Sequence, residues 1–306
     1  MIQPSGISYH YTDSIMTSQR RSIGGSMSDF ALFPGVYRPA AQRWEPSAAS
    51  ASEVIQPTIT IATMNVWFEP HFFAERCAAL LSLLQAHRPN LIALQEATPA
   101  LLDRVMREPW VQREYQLSDI AGGSIDPYGV LMLSRLPIHA WELRALPSAM
   151  GRALLTARAS LNGSTTSFAS VHLESTSLAA PTRARQLAKI FPWLAAAPHA
   201  LLMGDFNFCS SSYENEQLAP AYQDVWPYIH PADPGYTENT EVNTMRAQHA
   251  GRHRPVRFDR ILLRSHAPGW QAESIQLIGT APIGSATPDV FPSDHFGLVA
   301  RLRWQA

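Results

Sequence analysis

The sequence predicts an α/β fold: a four-layer sandwich of two packed mixed β-sheets flanked by helices. Three observations predict it. Strand-like runs such as Thr58–Val66 and Ala200–Gly204 are largely apolar on both faces, as in strands covered from both sides. Helical periods separate some of these runs, at 73–84 and 187–194, and a helix is the usual link between parallel neighbours. Elsewhere short strands follow one another through turns, as antiparallel hairpins do. The 306 residues, 46% of them hydrophobic, can bury a sizeable core in one large domain or two small ones.

Along the chain, residues 1–56 are rich in Ser, Gly, Pro and Ala and show no period. The first thirty or so are expected to lack order. The stretch Phe33–Pro46 carries Phe33, Val36, Tyr37 and Trp44 and is expected to pack on the domain as a lead-in. The folded domain is expected to occupy 57–306. Its first strand, Thr58–Val66, puts Ile59, Ile61, Thr63 and Asn65 on one face. Phe73, Cys77, Leu80, Leu81 and Leu84 then mark a helix that Pro89-Asn90 ends. Leu91–Leu94 is a short strand leading to Gln95-Glu96. Thr98-Pro99 reads as an N-cap followed by a first-turn proline. Strands follow at Tyr115–Asp119, Gly129–Ser134, Ile138–Ala145 and Ala153–Ser160. Asn162-Gly163 is a hairpin turn into a strand from Thr165 to Glu174. A second amphipathic helix follows Pro181, and Ala200–Gly204 is the next strand. Residues 229–255 hold no clear period, and so long a loop in a compact domain is usually functional or mobile. Arg257–Leu263 and Phe296–Leu302 complete the strands. The order of motifs suggests two similar halves, each with a strand that ends in a functional group.

A net charge of −1 excludes an overall basic field for nucleic acid, so any such contact must be local. Two cysteines, Cys77 and Cys209, make no disulfide framework and suggest a reducing compartment. No apolar run approaches the ~20 residues that span a membrane, and no secretory signal is evident. A bacterial cytoplasm is expected, or a nucleus in a eukaryote. No membrane and no obligate protein partner is expected.

Polar groups gather where the apolar strands end. Asn65 and Glu96 close the first two strands, and His172 and Glu174 lie two residues apart on one face of another. Asp205 and Asn207 follow Leu201-Leu202-Met203-Gly204. Asp259 shares a face with Ile261 and Leu263, and Ser293-Asp294-His295 precedes the last strand. Each has an ordinary reading alone: Asn65 as a turn cap, Glu96 as a helix-entry acid, His172 as a satisfied core histidine, Asp205 with Asn207 as an Asx turn, Asp259 as an ion pair. Six segments delivering such groups together argue for metal-assisted phosphodiester hydrolysis. Glu96 would hold a hard divalent ion, Mg²⁺ in the first instance. Asp205 would orient or deprotonate a water, with Asn207 fixing that carboxylate or a phosphate oxygen. His172 and His295 would donate to developing negative charge, and Asp259 would orient His295. The arginines from 246 to 264 read either as a solvated face or as a phosphate-binding lid that includes Arg252 and Arg254.

These motifs, Thr63-Met64-Asn65, Leu94-Gln95-Glu96, Met203-Gly204-Asp205-Phe206-Asn207 and Pro292-Ser293-Asp294-His295, resemble the endonuclease/exonuclease/phosphatase superfamily, whose fold is that of deoxyribonuclease I. The likeness covers about 58–303. His172-Leu173-Glu174-Ser175-Thr176 and Arg257-Phe258-Asp259-Arg260 are similar to its members that hydrolyse 5′-tyrosyl-DNA bonds. The resemblance implies a metal-dependent phosphodiesterase acting on DNA 5′ ends in repair. It implies Mg²⁺ or Mn²⁺ on Glu96, with Asn65 and Asp294, and a substrate contacted by Tyr128, Glu174, Ser175 and Arg257. Met64 and Glu238 stand where such relatives have tryptophan, and Cys209 where they have arginine, so the DNA-end contacts differ. Alternative expectations are a phosphodiesterase or phosphatase for small molecules or lipids, and a non-catalytic binding protein on the same fold.

Overall fold

The computed structural model describes residues 32–47, 52–251 and 253–306. The leading stretch expected to lack order and Arg252 lie outside the described residues. The strands and helices run as follows. β1 (Gly35–Arg38) and β2 (Arg43–Pro46) form a hairpin, and β3 (Thr58–Asn65), α1 (Phe73–His87) and β4 (Leu91–Ala97) form a β–α–β unit. α2 (Pro99–Arg107) and α3 (Pro109–Glu114) lead to β5 (Gln116–Leu117), β6 (Gly129–Ser134), β7 (Ala140–Ala145) and β8 (Ala153–Leu161). β9 (Ser164–His172), α4 (Ala180–Leu194) and β10 (His199–Asp205) form a second β–α–β unit. β11 (Gln223–Asp224), α5 (Val225–Ile229), β12 (Glu238–Asn239), α6 (Met245–Ala250), β13 (Pro255–Val256), β14 (Asp259–Ser265), β15 (Gly269–Ile278) and β16 (Gly297–Gln305) complete the chain.

The strands form two large sheets. One has the order β15-β16-β3-β4-β6-β5-β1-β2, the other β11-β14-β10-β9-β8-β7. Each holds one parallel pair, β3 with β4 and β9 with β10, made possible by the crossover helix between its members. The two-faced strands divide their side chains accordingly. Ile59 and Ile61 of β3 meet Leu201 and Met203 of β10 between the sheets. Ala62 and Met64 turn outward onto Leu80 and Leu84 of α1, while Ala200 and Leu202 turn outward onto Leu187 and Ile190 of α4. Two sheets between two helical layers give the four-layer sandwich that the patterning predicts. Thr98 caps α2 as expected, its hydroxyl accepting from Leu101 N–H at 3.2 Å. Asn162 and Gly163 both adopt positive φ, the turn that a two-residue hairpin needs. No helix among the described residues is long and apolar enough to cross a membrane.

Three differences from the sequence expectations have physical causes. β15 is ten residues long, yet a bulge between Ala272 and Ser274 breaks its alternation, so no period-2 pattern reveals it. The lead-in at 33–46 enters the first sheet as β1 and β2, through pairing of β1 with β5. β9 stops at His172, so Glu174 is not on its face but in the loop beyond.

Candidate active site

The site lies where both parallel pairs end. In the second sheet His172, Asp205 and Asp259 stand in one row, because β10 pairs in register with β9 on one side and β14 on the other. In the first sheet Asn65 ends β3 opposite Gln95, and Glu96 sits at a bulge in β4 with φ 57°. That break in the ladder re-aims the Glu96 side chain, which borders the cleft. Asn65 joins the sheets: its side-chain amide donates to Glu96 Oε1 and to Asp205 Oδ2, both at 3.1 Å. Its own oxygen accepts from Trp67 N–H at 3.0 Å. The loop before β16 is tied to β3 by Ser293, whose hydroxyl donates to Asn65 O at 2.7 Å. These ties bring Glu96, His172, Asp205, Asp294 and His295 around one cleft of about 360 Å³, with Asn65 and Asp259 bonded to lining residues from behind.

The two histidines differ in charge. His295 donates from Nδ1 to Asp259 Oδ2 at 2.7 Å. Burial alone would depress its pKa, but the Asp259 charge and hydrogen bond, with Asp294 and Asp205, hold it well above 6.5. It is an imidazolium. His172 is pushed well below 6.5 by burial, then by the nearby charges of Arg152 and His295. Arg152 Nη1 lies 2.9 Å from His172 Nδ1. A guanidinium only donates, so Nδ1 is the acceptor and Nε2 carries the hydrogen. That Nε2 lies 3.4 Å from Asp205 Oδ2 and 3.9 Å from Glu96 Oε1.

Asp205 is raised to about 7 by burial and by the facing Asp259, against the opposing pull of His295, Asn207 and Asn65. Asn207 acts on it through the backbone, its N–H donating to Asp205 Oδ1 at 2.8 Å while its carboxamide donates to Leu173 O at 3.0 Å. A buried carboxylate with a pKa near neutrality suits a general base. Asp294 is raised to about 6 by burial first and, among its neighbours, by the charges of Glu96 and Glu238.

Glu96 and Asp294 are two hard oxygen donors whose charges oppose each other. Among the described residues no three His, Cys, Asp or Glu side chains close into a metal cage. A Mg²⁺ ion needs no such cage: it takes one or two carboxylates and keeps most of its waters. The donor set therefore fits such an ion, with Asn65 bracing Glu96.

The structure also places the remaining expected residues. Ser175 borders the cleft and accepts from Arg152 Nη2 at 2.8 Å. Tyr128 lies beneath the Arg152 guanidinium, 5.6 Å from ring centroid to charge, and stacks on the exposed Phe68 at 4.8 Å. Glu174 turns from the cleft to hold the 147–152 loop, accepting from Ala149 N–H at 2.9 Å and from the Ser148 hydroxyl. Arg257 is buried and paired with Asp224 at 2.7 Å. Arg260 shares Asp224 and also donates to Asn215 Oδ1 and Phe208 O, and Arg264 donates to Leu194 O. The arginine cluster is thus divided: these three brace the fold, while Arg246 and Arg254 line the cleft.

Sequence reasoning missed Arg152, Arg76 and Arg183. Arg76 is buried on α1 and donates to the carbonyls of Val66, Trp67, Glu69 and His71, which shapes the loop after Asn65. Arg183 donates to Glu174 O, Thr176 O and Glu214 Oε1, which fixes the Ser175 loop. A buried arginine on an otherwise apolar helix face is the signal for the last two. Arg152, in a turn before a strand, carries no such signal.

Comparison with known proteins gives a consistent answer. The model of the Endonuclease/Exonuclease/phosphatase family matches residues 62–295. Tyrosyl-DNA phosphodiesterase 2 of Xenopus laevis is 30% identical over 237 residues, covering 74% of this chain and 61% of its own length. The chain thus spans about three fifths of that curated relative. A humanized D. rerio TDP2 carrying 14 mutations superposes with a TM-score of 0.69 at 25% identity, covering 81% of this chain and all of that one. An endonuclease/exonuclease/phosphatase from Bacteroides vulgatus gives 0.62 at 14% identity over 82% of this chain and all of that one, which speaks to the fold alone.

Proposed function

The chain belongs to the endonuclease/exonuclease/phosphatase family, and from that membership we propose that it is a metal-dependent phosphodiesterase that hydrolyses 5′-tyrosyl bonds at DNA ends. The family depends in general on divalent metal ions; here Mg²⁺ or Mn²⁺ would be held by Glu96 and Asp294. When bound, the ion screens the phosphate and stabilises the leaving oxygen. The chain's own groups do the rest. Asp205 accepts the proton of the attacking water. His295, charged and held by Asp259, and His172, neutral with its hydrogen on Nε2, donate to the non-bridging oxygens as charge builds there. Tyr128 and Arg152 line a second, small cavity that His172 also borders.

The observation that carries this reading is the row His172–Asp205–Asp259 in one sheet, set against Glu96 of the other and joined to it by Asn65. The curated relatives' name supplies the substrate class. Such a substrate would place the work in a bacterial cytoplasm or a nucleus. Incubation with a 5′-tyrosyl oligonucleotide, with Mg²⁺ and with EDTA, tests it: Mg²⁺-dependent release of tyrosine is expected, and its absence overturns the assignment.

A second reading, a phosphodiesterase for small molecules or lipids, is favoured by the near-neutral charge and by Glu238 and Cys209 in the cleft. A salt titration separates the two, because only a strand-binding enzyme weakens steeply as salt rises.

A further inference from the structure

Glu174 is nearly fully buried, turns from the cleft, and has no task in the catalytic scheme. Its carboxylate accepts from Ala149 N–H at 2.9 Å on Oε1, and from the Ser148 hydroxyl and Gln186 Nε2, the latter at 3.4 Å, on Oε2. Its backbone is held as firmly. The N–H donates to Gln186 Oε1 at 3.0 Å, and the carbonyl accepts from Arg183 Nη1 at 2.8 Å. Gln186 and Arg183 are buried residues of α4. Gln186 Nε2 also donates to Pro147 O at 2.9 Å, so α4 grips both Glu174 and the 147–152 loop that it holds.

A route of hydrogen bonds runs from this carboxylate to the cleft. The Ser148 hydroxyl gives its hydrogen to Glu174, which turns its lone pairs toward Met150 N–H at 2.9 Å and Arg152 N–H at 3.0 Å. Leu146 N–H closes the loop onto Arg152 O at 3.0 Å. The backbone of Arg152 is thus set, and its guanidinium reaches back, Nη1 to His172 Nδ1 at 2.9 Å and Nη2 to Ser175 Oγ at 2.8 Å. Ser175 adjoins Glu174 in the chain, so the route returns to where it began. Arg152 Nε is buried with no hydrogen-bond partner among the described residues, so the aim of the guanidinium depends on its Nη contacts and on where the backbone sets it.

We propose that Glu174 is a positioning residue: through Ser148 and Arg152 it fixes His172 in the tautomer whose hydrogen is on Nε2. Its consequence for the rate rests on the phosphodiesterase reading above. The route requires a carboxylate, which only accepts, because both oxygens meet donors. A glutamine of the same shape would turn its NH₂ group toward either Ala149 N–H or the Ser148 hydroxyl. The first sets two donors against each other. The second reverses the hydroxyl, whose hydrogen then opposes the N–H groups of Met150 and Arg152. Either one loosens the loop that aims the guanidinium.

The test reads the imidazole in the full chain without substrate. Long-range ¹H–¹⁵N correlation spectra of histidine-labelled protein, recorded at about pH 8 so that His172 is neutral, distinguish its tautomers, and His172→Gln identifies its signals. Wild type is expected to carry the hydrogen on Nε2. Glu174→Gln is expected to move His172 toward the Nδ1–H tautomer and to lower kcat on a 5′-tyrosyl oligonucleotide about 10–10²-fold, with KM within about threefold of wild type. Ser148→Ala cuts the same route without touching the carboxylate and serves as the second variant, with the same result expected. Ser148→Thr keeps the hydroxyl and should keep the wild-type tautomer. Wild-type His172 with its hydrogen on Nδ1 overturns the proposal. So does a tautomer unchanged in Glu174→Gln and Ser148→Ala, even where kcat falls, since that is the mark of a merely structural role. A shifted tautomer with kcat within about twofold of wild type overturns it too. A wild type that releases no tyrosine sinks the substrate assignment, and the spectra alone then decide whether Glu174 orders the ring.

Discussion

Arg152 and His172 are joined nitrogen to nitrogen, at 2.9 Å, and only one of the two can be the donor. The arginine thereby decides that the imidazole presents its N–H end to Asp205 and Glu96 in the cleft. Arg152→Met should free the ring to adopt the other tautomer and lower kcat by about 10²-fold, the cost of one misdirected donor. Arg152→Lys, which keeps a donor but not its fork, should recover part of that loss. Steady-state kinetics of 5′-tyrosyl oligonucleotide hydrolysis would check both, and a kcat untouched by Arg152→Met would remove the arginine from the account.

In the proposed mechanism Asp205 is the base, a role open to it only when ionised. Its pKa of about 7 means that kcat/KM should rise with pH through neutrality and level off above it. His295 must stay charged, and its pKa lies well above 6.5, so loss of activity on the alkaline side begins only at higher pH. Asp205→Asn should abolish the acid limb and lower kcat by about 10²–10⁴-fold, with a circular dichroism spectrum like that of wild type. A pH–rate profile that keeps its acid limb in Asp205→Asn would assign that limb to another group.

Glu96 is expected to carry most of the metal affinity. Glu96→Gln should raise the Mg²⁺ concentration for half-maximal activity by about 100-fold, and excess EDTA should silence the wild type reversibly. Isothermal titration of Mg²⁺ into both proteins measures the same difference without substrate.

Gly204 holds φ at 129°, and a Cβ there would meet Val171 O at 2.0 Å. Gly204→Ala should cost about 3 kcal/mol in urea denaturation and displace Asp205, which follows it. An alanine variant as stable as wild type would mean that β10 and β9 can part without penalty.

Arg183 and Glu214 form a buried pair at 2.7 Å. Arg183→Met should destabilise by about 3–5 kcal/mol because it strands a charge, and adding Glu214→Leu should return part of that stability. Activity should fall in both, since the carbonyls of Glu174 and Thr176 lose their donor.

The site was more legible in the sequence than the sheet edges were. Asn65, Glu96, Asp205, Asp259 and His295 could be found because each interrupts an apolar run, and an apolar strand has no use for a charge at its mouth. Glu174 misled because period two was carried past the true end of β9 at His172. The resemblance implies a substrate contact for Arg257, whereas its buried side chain, ahead of the start of β14, pairs with Asp224 at 2.7 Å. Arg152 was hidden because its role depends on a contact across twenty residues of hairpin. β15 was hidden by its bulge, and α5 and α6, of five and six residues, are too short to show a period.

Glu96 hangs from one sheet and Asp205 from the other, with a single carboxamide spanning the gap between them. The spacing of the reacting groups is therefore the spacing of the sandwich itself. A substitution deep in the interior, at Ile61 or Met203 for example, can let one sheet slide over the other by a fraction of an ångström. The fold survives such a slip; the alignment of water and phosphate does not. In this chain catalysis acts as a ruler laid across the core, and turnover should register errors of packing that a melting curve passes over.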